Sequence, residues 1–345
     1  MASVSVVPAV LKDGAQRMAA PVSRTTDISL YRSLVAQVRA GSDYYVVATS
    51  MQRELGYPIR PFFTVRPPTL TWLIAALSPL GAQLFILLLV AATVIAWTVR
   101  LTHSIDSSPV RMMAGILLIL LGVMPATSEP LLWFTDVWAG LLIALSLALH
   151  SPNRWWPSVA AGLAAILIRE LALPYLLAMG IIAALSGQRR EAVGWGIAVG
   201  VFAVAFIGHA QAVHALIQAA DPVSQGWSGR GGWGMFVASC WQLTTFTMLP
   251  AMAVAVLLPL SFFGLAAWNA SVALRAFLTL SGYTLLIALF ARRDNGYWVW
   301  LVSPLLGLGL LFLPSAVADL VRSILSRSGA AVLRAEGIGR APHHE

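Results

Sequence analysis

The chain is poor in cysteine, in lysine and in charge as a whole. Cys240 is its single cysteine, so an intramolecular disulfide is excluded, and no Cys/His spacing typical of a zinc site occurs. Charged residues make up 10% of the chain, whereas soluble domains carry roughly 25%. So few charges cannot solvate a globular surface of this size, which excludes an ordinary soluble protein.

Apolar residues are correspondingly abundant, at 59% of the chain with a mean hydropathy of +0.80. A membrane-spanning helix needs roughly 20 predominantly apolar residues. The apolar runs predict an all-α fold, a polytopic transmembrane helical bundle of about 9–10 spans with an external first loop of amphipathic helices. The expected spans are 81–101, 110–126, 130–149, 157–169, 171–186, 192–212, 243–268, 271–290 and 296–314.

Polarity divides the chain into four expected parts. Residues 1–26 hold no apolar run long enough to span and read as a flexible or truncated start. Residues 27–80 read as an external loop with interfacial helices, and residues 81–317 as the transmembrane bundle. Residues 318–345 form a basic cytoplasmic tail. A second polar stretch, 213–242, is glycine-rich and is expected to be a loop.

Arginine supplies nearly all of the positive charge, and the net charge is +8. Alternate loops hold the arginines Arg100, Arg111, Arg154, Arg189, Arg190 and Arg275, followed by those of the tail. This side is predicted to be cytoplasmic. The expected location is a bacterial inner (plasma) membrane, which the chain crosses several times and whose lipids are its partners. No basic stripe with interleaved aromatic residues is present, so nucleic acid is not an expected partner.

The opposite side collects the unusual polar residues. Its acids are Asp27, Asp43, Glu129, Asp136, Glu170 and Asp294, and its arginines are Arg60, Arg66, Arg169, Arg230, Arg292 and Arg293. Carboxylates can act as a base or bind a metal ion, and arginines bind phosphate through paired donors. The combination suits transfer of a group from a phosphorylated lipid.

Each of these residues also has a structural interpretation. Asp27 could cap a helix starting near Ile28, and Asp43 could cap a Gly-Ser-Asp turn. Arg66 could extend to the membrane interface, and Asp136 could bond to a neighbouring helix. Arg169 and Glu170 could form a self-contained ion pair, while Arg292 and Arg293 could belong to a solvated loop.

Several short motifs resemble one known superfamily. They are Asp27-Ile-Ser-Leu-Tyr31, Gly41-Ser-Asp-Tyr-Tyr45, Tyr57-Pro58, Arg66-Pro67-Pro68-Thr-Leu70, Trp133-Phe-Thr-Asp136, Arg169-Glu-Leu-Ala-Leu-Pro174 and Arg292-Arg-Asp-Asn-Gly-Tyr-Trp298. From residue 27 onward the chain resembles GT-C superfamily glycosyltransferases, notably the aminoarabinose and protein-mannosyl transferases and related bacterial members. Those are polytopic membrane enzymes that use polyprenyl-phosphate sugars. Their acidic residue usually follows a membrane span, which residues 1–26 do not provide.

The resemblance implies roles for individual residues. Asp27 would be the catalytic base and Asp43 a second acid in the same loop. Arg66 would hold the donor phosphate. Arg292 and Arg293 would support it. Glu129, Asp136 and Glu170 would shape the acceptor pocket or bind a divalent cation. Tyr31 and Arg169 complete the substrate-binding candidates. No cofactor or metal ligand is fixed by the sequence, and a divalent cation is left open.

The expected function is therefore an inverting, GT-C-like transferase that moves a sugar from a polyprenyl-phosphate donor to an unknown acceptor on the outer face of the membrane. One alternative is a transporter or flippase of a lipid-linked sugar, for which inverted repeats would be expected; no internal repeat is evident. The other alternative is a non-catalytic membrane subunit, which the missing first span favours.

Overall fold

The computed structural model describes residues 22–105 and 108–337, with side chains described from 27 to 105 and from 108 to 325. Most of the predicted flexible start, 1–26, therefore lies outside the described residues. Every regular element in the described part is a helix, and one isolated bridge joins Arg60 to Val223. The prediction of an all-α helical bundle is confirmed.

The α-helices of the described part follow one another with short connections. In chain order they are α1 (Val22–Arg39), α2 (Tyr44–Glu54), α3 (Thr69–Ala76), α4 (Pro79–Thr102), α5 (Pro109–Val123), α6 (Thr135–Leu149), α7 (Trp156–Ile168), α8 (Leu173–Leu185), α9 (Arg189–His214), α10 (Gly232–Leu243), α11 (Ala251–Ala267), α12 (Ser271–Phe290) and α13 (Leu313–Gly337). Short 3-10 turns join several of them, the longest being Arg293–Leu301.

Within the described residues, four helices are long and apolar enough to cross a membrane. They are α4, α9, α12, and α5 together with its following turn, Pro109–Thr127. A bent pair, Ser303–Leu311 with Leu313–Leu325, makes a fifth candidate with an angle of 46°. The apolar helices α6, α7 and α11 and the segment Glu170–Leu185 are shorter. Fifteen residues of helix rise only about 22 Å, less than the roughly 30 Å of a bilayer core. Fewer full-length spans are therefore present than the nine to ten predicted.

The long helices present apolar side chains on their outer faces. On α4, Leu88 and Ile95 are 68% and 63% exposed, and on α9, Val204 is 74% exposed. The inward faces are packed, with Ile86 and Trp97 of α4 buried. Apolar strips of this kind are unfavourable in water and match lipid chains. The helices are those of a multi-pass membrane protein.

Helix α6 is the centre of the bundle, with most of its side chains buried. It packs against α4, α7 and the turns Arg293–Leu301. Gly140 permits the last of these contacts, because a Cβ at this position would lie 2.0 Å from the carbonyl oxygen of Trp300. The close approach holds α6 against the end of the turns Arg293–Leu301, whose first residues include predicted site residues.

The prediction of a loop over residues 213–242 is wrong for the last third of that segment. Glycine content suggested a flexible turn, but Gly232 takes a positive φ of 62° and residues from it onward form α10. Met235, Phe236 and Cys240 are buried in the bundle. Burial of these apolar side chains outweighs the cost of glycine at the start of a helix.

Two predicted spans are also divided in the structure. The expected span 243–268 is interrupted after Leu243 by an extended residue and a 3-10 turn, and α11 begins only at Ala251. The expected span 296–314 consists of successive 3-10 turns. Proline at 250 and 304 and glycine at 307 and 309 disfavour a continuous α-helix there, although the hydropathy of both segments is that of a span.

A buried ionic cluster joins three helices at one end of the bundle. The guanidinium of Arg275 lies 3.1 Å from the Glu191 carboxylate, and Nε2 of His150 lies 3.2 Å from the same group. Trp195 donates its indole N–H to Glu191 at 3.1 Å. Arg275, predicted to be a cytoplasmic charge at the flank of a loop, is therefore a buried ion-pair partner that ties α12 to α9.

The opposite end of the bundle, called the loop end below, is formed by α1, α2 and the connections 55–68, 124–134, 215–231 and 291–297. Ion pairs and hydrogen bonds link these segments. Arg53 forms a two-point ion pair with Asp221, at 2.6 and 3.0 Å, and Arg60 donates to the Asp221 carbonyl oxygen at 2.8 Å. Gly229 packs on the Ala291 carbonyl, where a Cβ would lie 1.8 Å away. The connection 215–231 is thus fastened to both of its neighbours.

The Arg53–Asp221 pair makes the attachment of the 215–231 connection pH-dependent. The hydrogen bond from Arg53 holds the pKa of Asp221 below its ordinary value. The contribution of this ion pair to the attachment is therefore complete above the ordinary aspartate pKa and is lost as the pH falls below it, through the lowered value. A nitroxide on Gln225→Cys is expected to become more mobile over that acid range, as read by electron paramagnetic resonance; Cys240 is buried and stays unlabelled.

The matched background for this measurement is Asp221→Asn. The amide cannot form the ion pair, so the label is expected to be mobile at neutral pH, with the acid transition abolished. Equal mobility in both backgrounds at neutral pH would show that the ion pair does not hold the connection.

Candidate functional site

A cavity of about 180 Å³ opens at the loop end. The charged residues that line it are Asp27, Arg66, Asp136, Arg169, Arg292 and Asp294. Its aromatic lining consists of Tyr31, Tyr57, Phe63, Phe134, Trp227, Tyr297 and Trp298. These side chains come from α1, the connection 55–68, the start of α6, the end of α7, the 215–231 connection and the turns after α12. Segments far apart in the chain therefore build one polar, aromatic-walled chamber.

Asp27 lies inside α1, five residues after its start, so it is not the cap of a helix beginning near Ile28. Its carboxylate accepts a hydrogen bond from the hydroxyl of Tyr57. Burial raises the pKa of Asp27, while the Tyr57 hydrogen bond and the charge of Arg66 lower it and the charge of Asp294 raises it further. No ion pair of Asp27 occurs within the described residues. A half-buried carboxylate with a raised pKa and no cation bound to it is suited to accept a proton.

Arg66 crosses from the first connection to the turns after α12. It lies 3.3 Å from the Glu170 carboxylate and donates to the Tyr297 hydroxyl at 3.0 Å. Burial lowers the pKa of Arg66, but the neighbouring oxygens of Tyr297, Tyr31 and Glu170 outweigh burial and hold it above the ordinary value. A guanidinium carries five N–H groups, which is more than the contacts of Arg66 with Glu170, Tyr297 and Tyr31 require.

A buried chain of charges supports Arg66 from behind. Arg169 donates to Asp136 at 2.9 Å and to Glu170 at 2.7 Å, and Glu170 in turn contacts Arg66. Arg169 and Asp136 are 1% and 2% exposed. Asp136 lies in the first turn of α6, where the helix dipole favours a carboxylate. The predicted self-contained Arg169–Glu170 pair is therefore part of a four-residue network that reaches the cavity.

Arg292 and Asp294 form a second ion pair, at 2.6 Å, on the outer side of the cavity. The same guanidinium donates to the Gly226 carbonyl oxygen at 2.9 Å, which ties the 215–231 connection to the turns after α12. The hydrogen bonds that Arg292 donates to the Asp294 carboxylate raise the pKa of Arg292. Asn295 accepts from the Arg292 backbone N–H at 3.3 Å and holds this turn in shape.

Four predicted site residues lie outside the cavity lining: Glu170, which contacts Arg66 from behind, and Asp43, Glu129 and Arg293. Asp43 is exposed and caps α2 by accepting from the Val46 N–H at 3.0 Å. Glu129 is half exposed and pairs with Arg32 on the surface. Arg293 is exposed beside the cavity. The structural interpretation of Asp43 as a cap is thus confirmed, and neither Glu129 nor Arg293 contacts the Asp27 or Arg66 side chains.

Sequence reasoning gave no role to several residues that the cavity contains. Tyr57 and Tyr297 belong to motifs to which no role was assigned, and Trp227 belongs to none of the motifs. Phe63, Trp227 and Trp298 form a continuous aromatic wall, with ring centroids 5.4 and 5.8 Å apart. The run of aromatics in Gly296-Tyr297-Trp298 was the available signal, but aromatic residues near span ends are more often membrane anchors.

An apolar groove lies on the other side of the segment that carries Arg66. Its volume is about 270 Å³, and Pro67, Pro68, Trp72, Phe202 and Phe206 are among the residues that line it. Because Pro67 directly follows Arg66, the groove and the cavity lie on either side of one short stretch of chain. A ligand with an anionic head and an apolar tail would find both chemistries within a few residues.

The site offers no ready metal centre in the part of the chain that is described, since no group of three or more His, Cys, Asp or Glu side chains there is placed to share an ion. The divalent cation stays a prediction from the resemblance. Comparisons with family models, with curated proteins and with solved structures find no match to this chain. The chemistry of the site therefore has to be inferred from its own geometry.

Proposed function

We propose that the chain is an integral membrane glycosyltransferase that moves a sugar from a polyprenyl-phosphate donor to an acceptor at the outer face of a bacterial inner membrane. The observation that carries the proposal is the presence of Asp27 and Arg66 in one cavity. Asp27 is a carboxylate with no ion pair in the described chain, and Arg66 is a cation that lines the same cavity. A base and a phosphate-binding cation are what this transfer requires.

The proposed reaction uses these two groups on opposite sides of the sugar. Asp27 takes the proton from an acceptor hydroxyl while the acceptor oxygen forms its bond to the anomeric carbon. The bond from that carbon to the phosphate oxygen breaks, its electron pair leaves with the phosphate, and the configuration inverts. Arg66 stabilises the charge that the leaving phosphate gains.

The remaining walls suit the other parts of the substrate. The faces of Trp227, Trp298 and Phe63 offer apolar surfaces against which the C–H face of a sugar ring packs. The groove beside Pro67 and Pro68 offers an apolar surface for the first units of a polyprenyl chain. Asp136 and Arg169 line the cavity floor and hold Glu170 against Arg66.

Transfer is tested with the purified full chain in liposomes, bacterial membranes as the source of acceptor, and a panel of radiolabelled polyprenyl-phosphate sugars. We expect label to leave the donor lipid, with release of polyprenyl phosphate in equal amount and a product of inverted anomeric configuration. Label that crosses the bilayer on an intact donor would instead indicate a flippase. If the label neither crosses the bilayer nor leaves the donor lipid with any donor of the panel, the proposal is contradicted.

A further inference from the structure

The Tyr57 hydroxyl is bonded to Asp27 across a gap of thirty residues in sequence. Tyr57 lies in the connection after α2, and Asp27 lies on α1. The bond joins two separate segments at the cavity wall, and Tyr57 and Asp27 both line the cavity. Within the described residues, the Asp27 carboxylate has its hydrogen-bond partner in Tyr57.

The chain around Tyr57 holds the ring in one place. Gly56 takes a positive φ of 70°, which turns the chain sharply at the end of α2. The Tyr57 N–H donates to the Gln52 carbonyl at 2.8 Å, and the Thr64 hydroxyl donates to the Pro58 carbonyl at 2.8 Å. A ring fixed by its backbone on both sides keeps its hydroxyl in a defined position relative to Asp27.

The other charged and titratable groups around Asp27 act in both directions. Arg66, from the first connection, favours the carboxylate, and Asp294, from the turns after α12, disfavours it. Tyr31, one turn along α1, is a half-buried phenol whose pKa is raised by burial. Tyr57 is the neighbour that donates directly to an Asp27 carboxylate oxygen. Its effect on the Asp27 charge therefore depends on a direct hydrogen bond, whereas Arg66 and Asp294 act through their charges.

We propose that Tyr57 is a positioning residue that keeps the Asp27 carboxylate ionised and directed into the cavity. The inference rests on the proposed function, because it gives Asp27 the part of the base. Tyr57 does not exchange protons in the reaction. It supplies one hydrogen bond that stabilises the charged form of Asp27 and fixes which oxygen stays free for the acceptor proton.

The proposal is tested with Tyr57→Phe, which keeps the ring and removes the hydroxyl, and with Asp294→Asn, which removes a negative neighbour. Loss of a donor to a carboxylate is expected to move the acid limb of the transfer pH profile upward by about one pH unit. Asp294→Asn is expected to move it downward. A residue with a merely structural role would lower activity equally at every pH, and that result for Tyr57→Phe would overturn the proposal.

A second measurement does not depend on transfer. The C=O stretch of the protonated Asp27 carboxyl is identified in pH-difference infrared spectra as the band that Asp27→Asn removes. Its titration midpoint is expected to rise in Tyr57→Phe. An unchanged midpoint would contradict the role of Tyr57 even if transfer were absent. A raised midpoint in a protein without transfer would leave the contact valid and overturn the proposed function instead.

Discussion

Asp27→Asn is expected to lower the rate of sugar transfer by about 10²–10⁴-fold, the usual contribution of a general base. Asparagine has the size of aspartate and still accepts from Tyr57, so the fold and the cavity shape are retained, while the proton acceptor is lost. The rate of label transfer from the polyprenyl-phosphate donor measures the effect. Donor binding, which depends on Arg66, is expected to change little, so the loss falls on kcat.

The wild-type pH profile gives the same prediction a second form. Burial raises the pKa of Asp27 above that of an ordinary aspartate, and only the deprotonated carboxylate acts as a base. Transfer is therefore expected to be lost as the pH falls through this raised value and to be complete above it. Asp27→Asn is expected to transfer sugar at a low rate that does not fall further over this acid range.

Asp43→Asn serves as the comparison, because the resemblance made Asp43 a second acid of the same loop. Asp43 is exposed, lies outside the cavity lining and caps α2. Asparagine caps a helix about as well as aspartate, so transfer is expected to stay close to that of the wild type. Loss of transfer in Asp43→Asn together with normal transfer in Asp27→Asn would show that Asp43, and not Asp27, is the base.

Asp136→Ala is expected to have the largest effect on stability. The substitution removes the partner of the Arg169 Nε atom, 2.9 Å away, in a place where the arginine is 1% exposed. Leaving a buried charge without its partner costs about 3–5 kcal/mol. Thermal unfolding of the purified protein in detergent is expected to shift to a clearly lower temperature.

The surface pair Arg32–Glu129 provides the matched control. Both of its side chains are about half exposed, at 49% and 53%, and exposed ion pairs contribute about 0–1 kcal/mol. Glu129→Ala is therefore expected to unfold near the wild-type temperature. The double variant Asp136→Leu with Arg169→Met removes both charges and is expected to regain part of the lost stability. Equal losses of thermal stability in Asp136→Ala and Glu129→Ala would show that burial of the network does not increase its contribution to stability.

The membership of the candidate site was predictable for particular residues. Asp27, Arg66, Asp136, Arg169 and Arg292 were predicted because they are charged, belong to one side of the chain and fall in the motifs of the resemblance, and all five line the cavity. Asp43 and Glu129 are charged residues of the same side and lie elsewhere. Charge and its place along the chain indicate which end of the bundle a residue occupies, but they do not indicate which way its side chain points.

The sequence alone determined the helical membrane class of the protein and the grouping of its acids and arginines toward one end, because hydropathy is a local property that each segment carries by itself. Only the tertiary structure decided that Arg66 meets Glu170 and Tyr297, residues 104 and 231 positions away. It also turned 232–243 into a buried helix and brought Tyr57 to Asp27. Such pairings depend on how helices pack and where connections cross, and no single segment contains that information.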